Sequence, residues 1–149
     1  MAEVIIGKDT SGNRHPLITD AAGILQVSIA PGSITASAEN LYAYSCPATV
    51  TAQAVKASGG TISHLVITNT AAALRYVRLY NALAANVTVA STNASYVIGL
   101  QANQTLDVSC GNSGINFSTG ITLAVSGAKG LADATAVTAG DVLISLAYV

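Results

Sequence analysis

The sequence predicts an all-β chain, an antiparallel β-sandwich of jelly-roll or Greek-key type preceded by an extended N-terminal arm. Three observations lead there. Short runs rich in Val, Ile, Thr and Tyr alternate with small or polar residues at a period of two. Gly, Asn, Ser or Asp residues separate these runs at short intervals. Helical templates fit poorly, and the one Ala-rich candidate, residues 131–137 (LADATAV), is short, runs into Ala139-Gly140-Asp141 and reads as a loop before the last strand.

The arm, residues 1–35, carries an internal echo. VIIGK is followed by Asp9-Thr10-Ser11-Gly12, NRHPLIT by Asp20-Ala21-Ala22-Gly23, and ILQVSI comes next. Asp-x-x-Gly suits a type I turn, with the Asp side chain accepting from the turn backbone and Gly taking the positive φ that follows. The echo predicts three short strands. So thin a piece is marginal unless it packs on something larger, either its own domain or a partner. Ala30-Pro31-Gly32-Ser33 reads as a linker, and residues 36–149 form the body.

The body reads as strand after strand. Residues 48–56 alternate, and Ser58-Gly59-Gly60 turns the chain into the β-branched run 61–69. Residues 74–81 (LRYVRLYN) place Arg75, Val77 and Leu79 on one face and Tyr76, Arg78 and Tyr80 on the other. Further runs follow at 87–90, 96–100, 105–110, 121–126 and 142–148. About eight short strands fit a sandwich. Because Ala buries little, the Val, Ile and Leu positions must supply the core.

Charge is scarce. Six basic and seven acidic residues make 9% of 149, against about a quarter in ordinary domains. That is roughly one charge per 540 Å² of folded surface, where about one per 190 Å² is usual. With a net charge of −1, little electrostatic repulsion opposes association, and association with copies of itself is expected. Lys8, Arg14, Lys56, Arg75, Arg78 and Lys129 are scattered, so no nucleic-acid footprint is expected. No run of 18 apolar residues suggests a membrane span, and the start shows no secretory pattern. Hydrophobic content of 51% argues against disorder.

No constellation of a known chemistry emerges, and neither an enzyme nor a cofactor or metal site is expected. Gly-x-Ser-x-Gly, Gly-x-Gly-x-x-Gly and His-Glu-x-x-His are absent, and Gly7-Lys8 lacks the rest of a phosphate loop. His64, in a strand, reads as a surface or interface histidine rather than a general base, and His15 before Pro16 as extended. Most of the acids sit beside turns rather than as a catalytic pair. Cys46 and Cys110 read as small buried hydrophobes; the alternative is a bridge stapling two strands. Four Asn-x-Ser/Thr matches, at Asn86, Asn93, Asn103 and Asn116, are expected by chance in so Asn- and Thr-rich a chain and suit turns. The Tyr76, Arg78 and Tyr80 face reads as a packed or subunit-covered surface, with a glycan platform as the alternative.

The opening "GKDTSGNRHPLITDAAGILQVSI" resembles the starts of many tailed-phage virion proteins. "ISHLVITNTAAALRYVRLYN" and "GITLAVSGAKGLADATAVTAGDVLISLAYV" are similar to small phage structural proteins, including those of cyanobacterial phages. The resemblance implies a capsid decoration (cement) protein or a fibre-like virion domain, built as a β-sandwich and commonly trimeric. The expectation that follows is a non-enzymatic protein, made in the host cytoplasm and seated on the outer surface of the major capsid protein lattice. Its arm would anchor through Ile5, Lys8, Arg14, Pro16, Leu17, Leu25 and Val27. The alternative is a fibre or tailspike domain that binds host surface glycans at Tyr76, Arg78 and Tyr80.

Overall fold

In a computed structural model, residues 6–8, 14–16, 38–111 and 113–149 are described. The chain divides into two compact units, Met1–Ala36 and Ser37–Val149. In the first, β1 (Ile6–Lys8) and β2 (Arg14–Pro16) form an antiparallel ribbon that pairs Ile6 with Pro16, Gly7 with His15 and Lys8 with Arg14. The intervening Asp9-Thr10-Ser11-Gly12 and the third expected strand lie outside the described residues.

The second unit is an antiparallel sandwich. Its strands are β3 (Asn40–Ser45), β4 (Gln53–Lys56), β5 (Gly60–Asn69), β6 (Arg75–Asn81), β7 (Tyr96–Leu100), β8 (Thr105–Ser109), β9 (Ile115–Phe117), β10 (Ile121–Ser126) and β11 (Val142–Tyr148). One sheet runs β3-β11-β5-β8, with β9 pairing the first part of β5; the other runs β4-β10-β6-β7. With β8 and β9 counted as one interrupted strand, this is the eight-stranded jelly-roll order.

Alternation explains the layers. On β5, Ile62, Leu65 and Ile67 point inward, and Ser63 is the extra residue of a bulge, because Ala147 pairs with His64 and Tyr148 with Ile62. Val77 and Leu79 of β6, Leu123 and Val125 of β10 and Ile144 and Leu146 of β11 complete the interior. Polar staples close one end of the sandwich. Buried Asn69, at the end of β5, donates to the carbonyls of Ala73, Leu100 and Gln101 and accepts from the Ala71 N–H. Arg75, opening β6, donates to Asp141, just before β11, with Nε and Nη2 each 2.7 Å from Oδ2.

Several sequence expectations change. The run 48–56 yields only β4, because bends at Ala48 and Thr49 follow Pro47. Residues 87–90 are not a strand: a 3-10 turn at Ala84–Asn86 is followed by Ser91 and Thr92 N–H groups donating to the Thr88 carbonyl. Val87 and Val89 alternate because both are buried from a looped backbone. Both β3 and β9 are strands that the sequence reading did not mark. Cys46 is buried, whereas Cys110, at the end of β8, is half-buried; both are free thiols.

Candidate functional site

The two sheets treat their outer faces differently. On the β4-β10-β6-β7 sheet, Tyr80 and Ala124 pack with Val87, Val89 and Ala94 into a second small core, so the loop between β6 and β7 roofs that face. The loop between β10 and β11 is held over the same sheet by Arg78. Its Nε donates to the Gly130 carbonyl, its Nη2 to the carbonyls of Ala128 and Gly130, and its Nη1 to the Ser126 hydroxyl. Arg78 is 0% exposed. The Ala94 N–H donates to the Leu131 carbonyl and links the two loops.

This roof corrects the ligand-platform alternative for Tyr76, Arg78 and Tyr80. Tyr80 is 1% exposed, and its hydroxyl finds no partner among the described residues. Tyr76 is half-buried and lies over Gly99, its register partner on β7; a Cβ at Gly99 would sit 3.2 Å from Tyr76 Cε1. All three side chains share one face, but the chain's own loops cover it, and the glycan reading loses its exposed rings.

The outer face of the other sheet is bare among the described residues. Registers of β3, β11, β5 and β8 align its outward residues in three rows. One row is Leu41, Ala147, His64 and Ser109; the next is Ala43, Ser145, Val66 and Asp107; the third is Ser45, Leu143, Thr68 and Thr105. Leu41 is 85% exposed and Leu143 44%. Between β3 and β5 the small Ala43, Ser145 and Ala147 leave an open groove of about 490 Å³, flanked by Leu41, His64 and Val66, with Glu39 at one end.

Ionic character on this face is slight. His64 Nε2 and Asp107 Oδ1 lie 2.8 Å apart as an exposed pair, and Thr68 and Thr105 join hydroxyls at 3.1 Å. His64 is therefore an exposed strand histidine paired with a carboxylate. Large exposed apolar side chains beside small neutral ones on an uncovered four-stranded surface suit contact with another protein.

Of the expected anchoring residues, Lys8, Arg14 and Pro16 lie in the β1–β2 ribbon, whereas Ile5, Leu17, Leu25 and Val27 lie outside the described residues. The exposed Leu41 and Leu143 were not singled out from the sequence. The signal at Leu41-Tyr42-Ala43-Tyr44-Ser45 is two tyrosines spaced two apart, in a run along which polarity hardly changes. Among the described residues, no group of three or more His, Cys, Asp or Glu side chains gathers as a metal site, and no helix is long and apolar enough to cross a membrane. Compared with known proteins, the chain matches no family model, no curated protein and no solved structure.

Proposed function

We propose that the protein is a non-enzymatic virion component, a decoration protein that lies on the outer surface of an assembled major capsid protein lattice and stabilises the head. The observation that carries this reading is the asymmetry of the sandwich: one outer face is roofed by its own loops, and the other is left uncovered among the described residues, with exposed Leu41 and Leu143 among mostly small, neutral side chains. A partner on that face loses little to ion desolvation and gains from covering Leu41 and Leu143. The resemblance of the arm and body sequences to small phage structural proteins supplies the kind of partner. A protein that binds the assembled shell but not free coat subunits stabilises the shell by mass action.

The test mixes the full chain with purified coat shells that lack it. Saturable binding that resists high salt and raises the temperature of shell disruption is expected. Leu41→Asp with Leu143→Asp introduces charge at two exposed positions and is expected to weaken binding at least about tenfold, consistent with the cost of desolvating unpaired charge. Binding unchanged by the pair removes this face from the contact. No binding to any shell overturns the reading.

A further inference from the structure

A jelly roll has four sheet edges, and three of them here are short, charged or irregular. β4 has four residues, ends at Lys56, and its register with β10 shifts between Ile121 and Thr122. β7 has five residues and includes Gly99. β8 carries Asp107, and β9 beside it has only three residues. Such features discourage edge-to-edge pairing. β3 is the exception: six residues, NLYAYS, without charge, proline or bulge, in unbroken register with β11 on one side. No described strand pairs its other side.

Hydrogen bonds fix which groups face that open side. The Cys46 N–H donates to the Val142 carbonyl, and the Cys46 carbonyl accepts from the Gly140 N–H. Main-chain groups alternate along a strand, so Tyr44, Tyr42 and Asn40 also turn theirs toward β11. Leu41, Ala43 and Ser45 therefore aim their N–H and C=O groups outward.

We propose that β3 pairs antiparallel with β3 of a second copy of this chain, about a two-fold axis at Ala43, joining two sheets into one. Narrow pairs of an antiparallel ladder form only between residues whose main-chain groups face each other, which restricts the register. Ala43 opposite Ala43, with Leu41 opposite Ser45 in both directions, engages every outward group from Leu41 to Ser45. The side chains fit that register. Bulky Leu41 meets small Ser45, and Ala43 meets itself. On the inner face Tyr42 meets Tyr44 of the other copy, extending a stack that within one strand already has ring centres 6.5 Å apart and planes 20° from parallel. Glu39 falls opposite Pro47 rather than opposite another acid, and Pro47, lacking an N–H, ends the ladder.

This reciprocity is what an isologous contact requires, and it favours a second copy over an unrelated strand. A seam about 20 Å long, across two layers about 10 Å apart, buries on the order of 600–800 Å² in total, below the range of permanent dimers. The pair therefore forms at micromolar or higher concentration, and tightens where copies are held side by side.

Sedimentation velocity of the full chain over a concentration series is expected to show a monomer–dimer equilibrium. Ala43→Pro removes an N–H that faces the open side, so it spares the bonds to β11; an unchanged melting temperature with at least about tenfold weaker dimerisation is expected. Ala43→Cys provides a second readout, because the proposed register puts the two copies of position 43 about 5.5 Å apart, within disulfide reach. Oxidation is expected to yield a covalent dimer from Ala43→Cys but not from Leu41→Cys or from the wild type. A wild-type monomer throughout, a trimer indifferent to Ala43→Pro, or equal cross-linking by both cysteine variants overturns the proposal.

Discussion

Arg78 grips the carbonyl of Gly130 through two nitrogens, Nε at 3.1 Å and Nη2 at 2.6 Å, from a fully buried position on β6. All its acceptors in the structure are neutral: two carbonyls and the Ser126 hydroxyl. The fork shape makes this possible, since a guanidinium presents five donors in one plane. Arg78→Ala strands those acceptors and leaves a void, so a loss of about 2–4 kcal/mol is expected in chemical denaturation. Arg78→Lys keeps the charge but loses the fork, and is expected to fall well below the wild type as well.

The Arg75–Asp141 bridge predicts an acid limb to stability. Burial pushes the Asp141 carboxyl upward, but the Thr138 N–H and the Arg75 guanidinium outweigh it and hold the pKa below the usual carboxylate value. A lowered folded-state pKa contributes stability that is present above the unfolded value of about 3.9 and is lost as pH falls through the folded value. Asp141→Asn is expected to cost about 1–3 kcal/mol at neutral pH. Denaturation curves of variant and wild type should converge below pH 3.9.

Tyr44 predicts the alkaline limb. Burial, aided by neighbouring Cys46 and Tyr42, pushes its phenol up to about 12, and burial raises Tyr42 and Tyr80 as well. For a raised phenol the contribution is complete below the unfolded value of about 10 and is lost as pH rises through the folded one. Phenolate absorbance should show Tyr44 titrating near pH 12 in the folded protein. Tyr44→Phe is expected to flatten the fall in stability over that window.

Tyr80 carries a hydroxyl that is buried and unpartnered among the described residues. Tyr80→Phe keeps the ring against Val87, Val89 and Ala124 and removes the unsatisfied group. A gain of about 1 kcal/mol is expected by thermal or urea denaturation. A loss of similar size would mean that the hydroxyl has a partner in solution.

Much of the body was legible because strands buried on one side write their faces into the sequence. The runs that became β5, β6, β7, β10 and β11 combine β-branched or aromatic residues with clear turn residues at their ends. β3 was passed over because its outward positions are Leu41, Ala43 and Ser45 and its inward ones tyrosines, so polarity hardly changes along it. Residues 87–90 misled for the converse reason: two valines two apart can both be buried from a looped backbone. The shared face of Tyr76, Arg78 and Tyr80 followed from parity alone. Its covering did not, because the roof comes from Val87 and Val89 in one loop and Gly130 in another, and no local pattern joins them to β6. The bare face needed the same knowledge in reverse, and Leu143 became an exposed residue only once β11 was placed between β3 and β5.

That placement of β11, together with β10 between β4 and β6, has a consequence for damaged copies. Each layer is threaded through its middle by a strand that comes late in the sequence, β10 or β11, between two strands that are made much earlier. A polypeptide severed ahead of β10 has no half that can hold its shape, since both fragments lack the neighbours their edges require. Loss of the chain from β10 onward is expected to abolish the fold outright instead of leaving a stunted remnant.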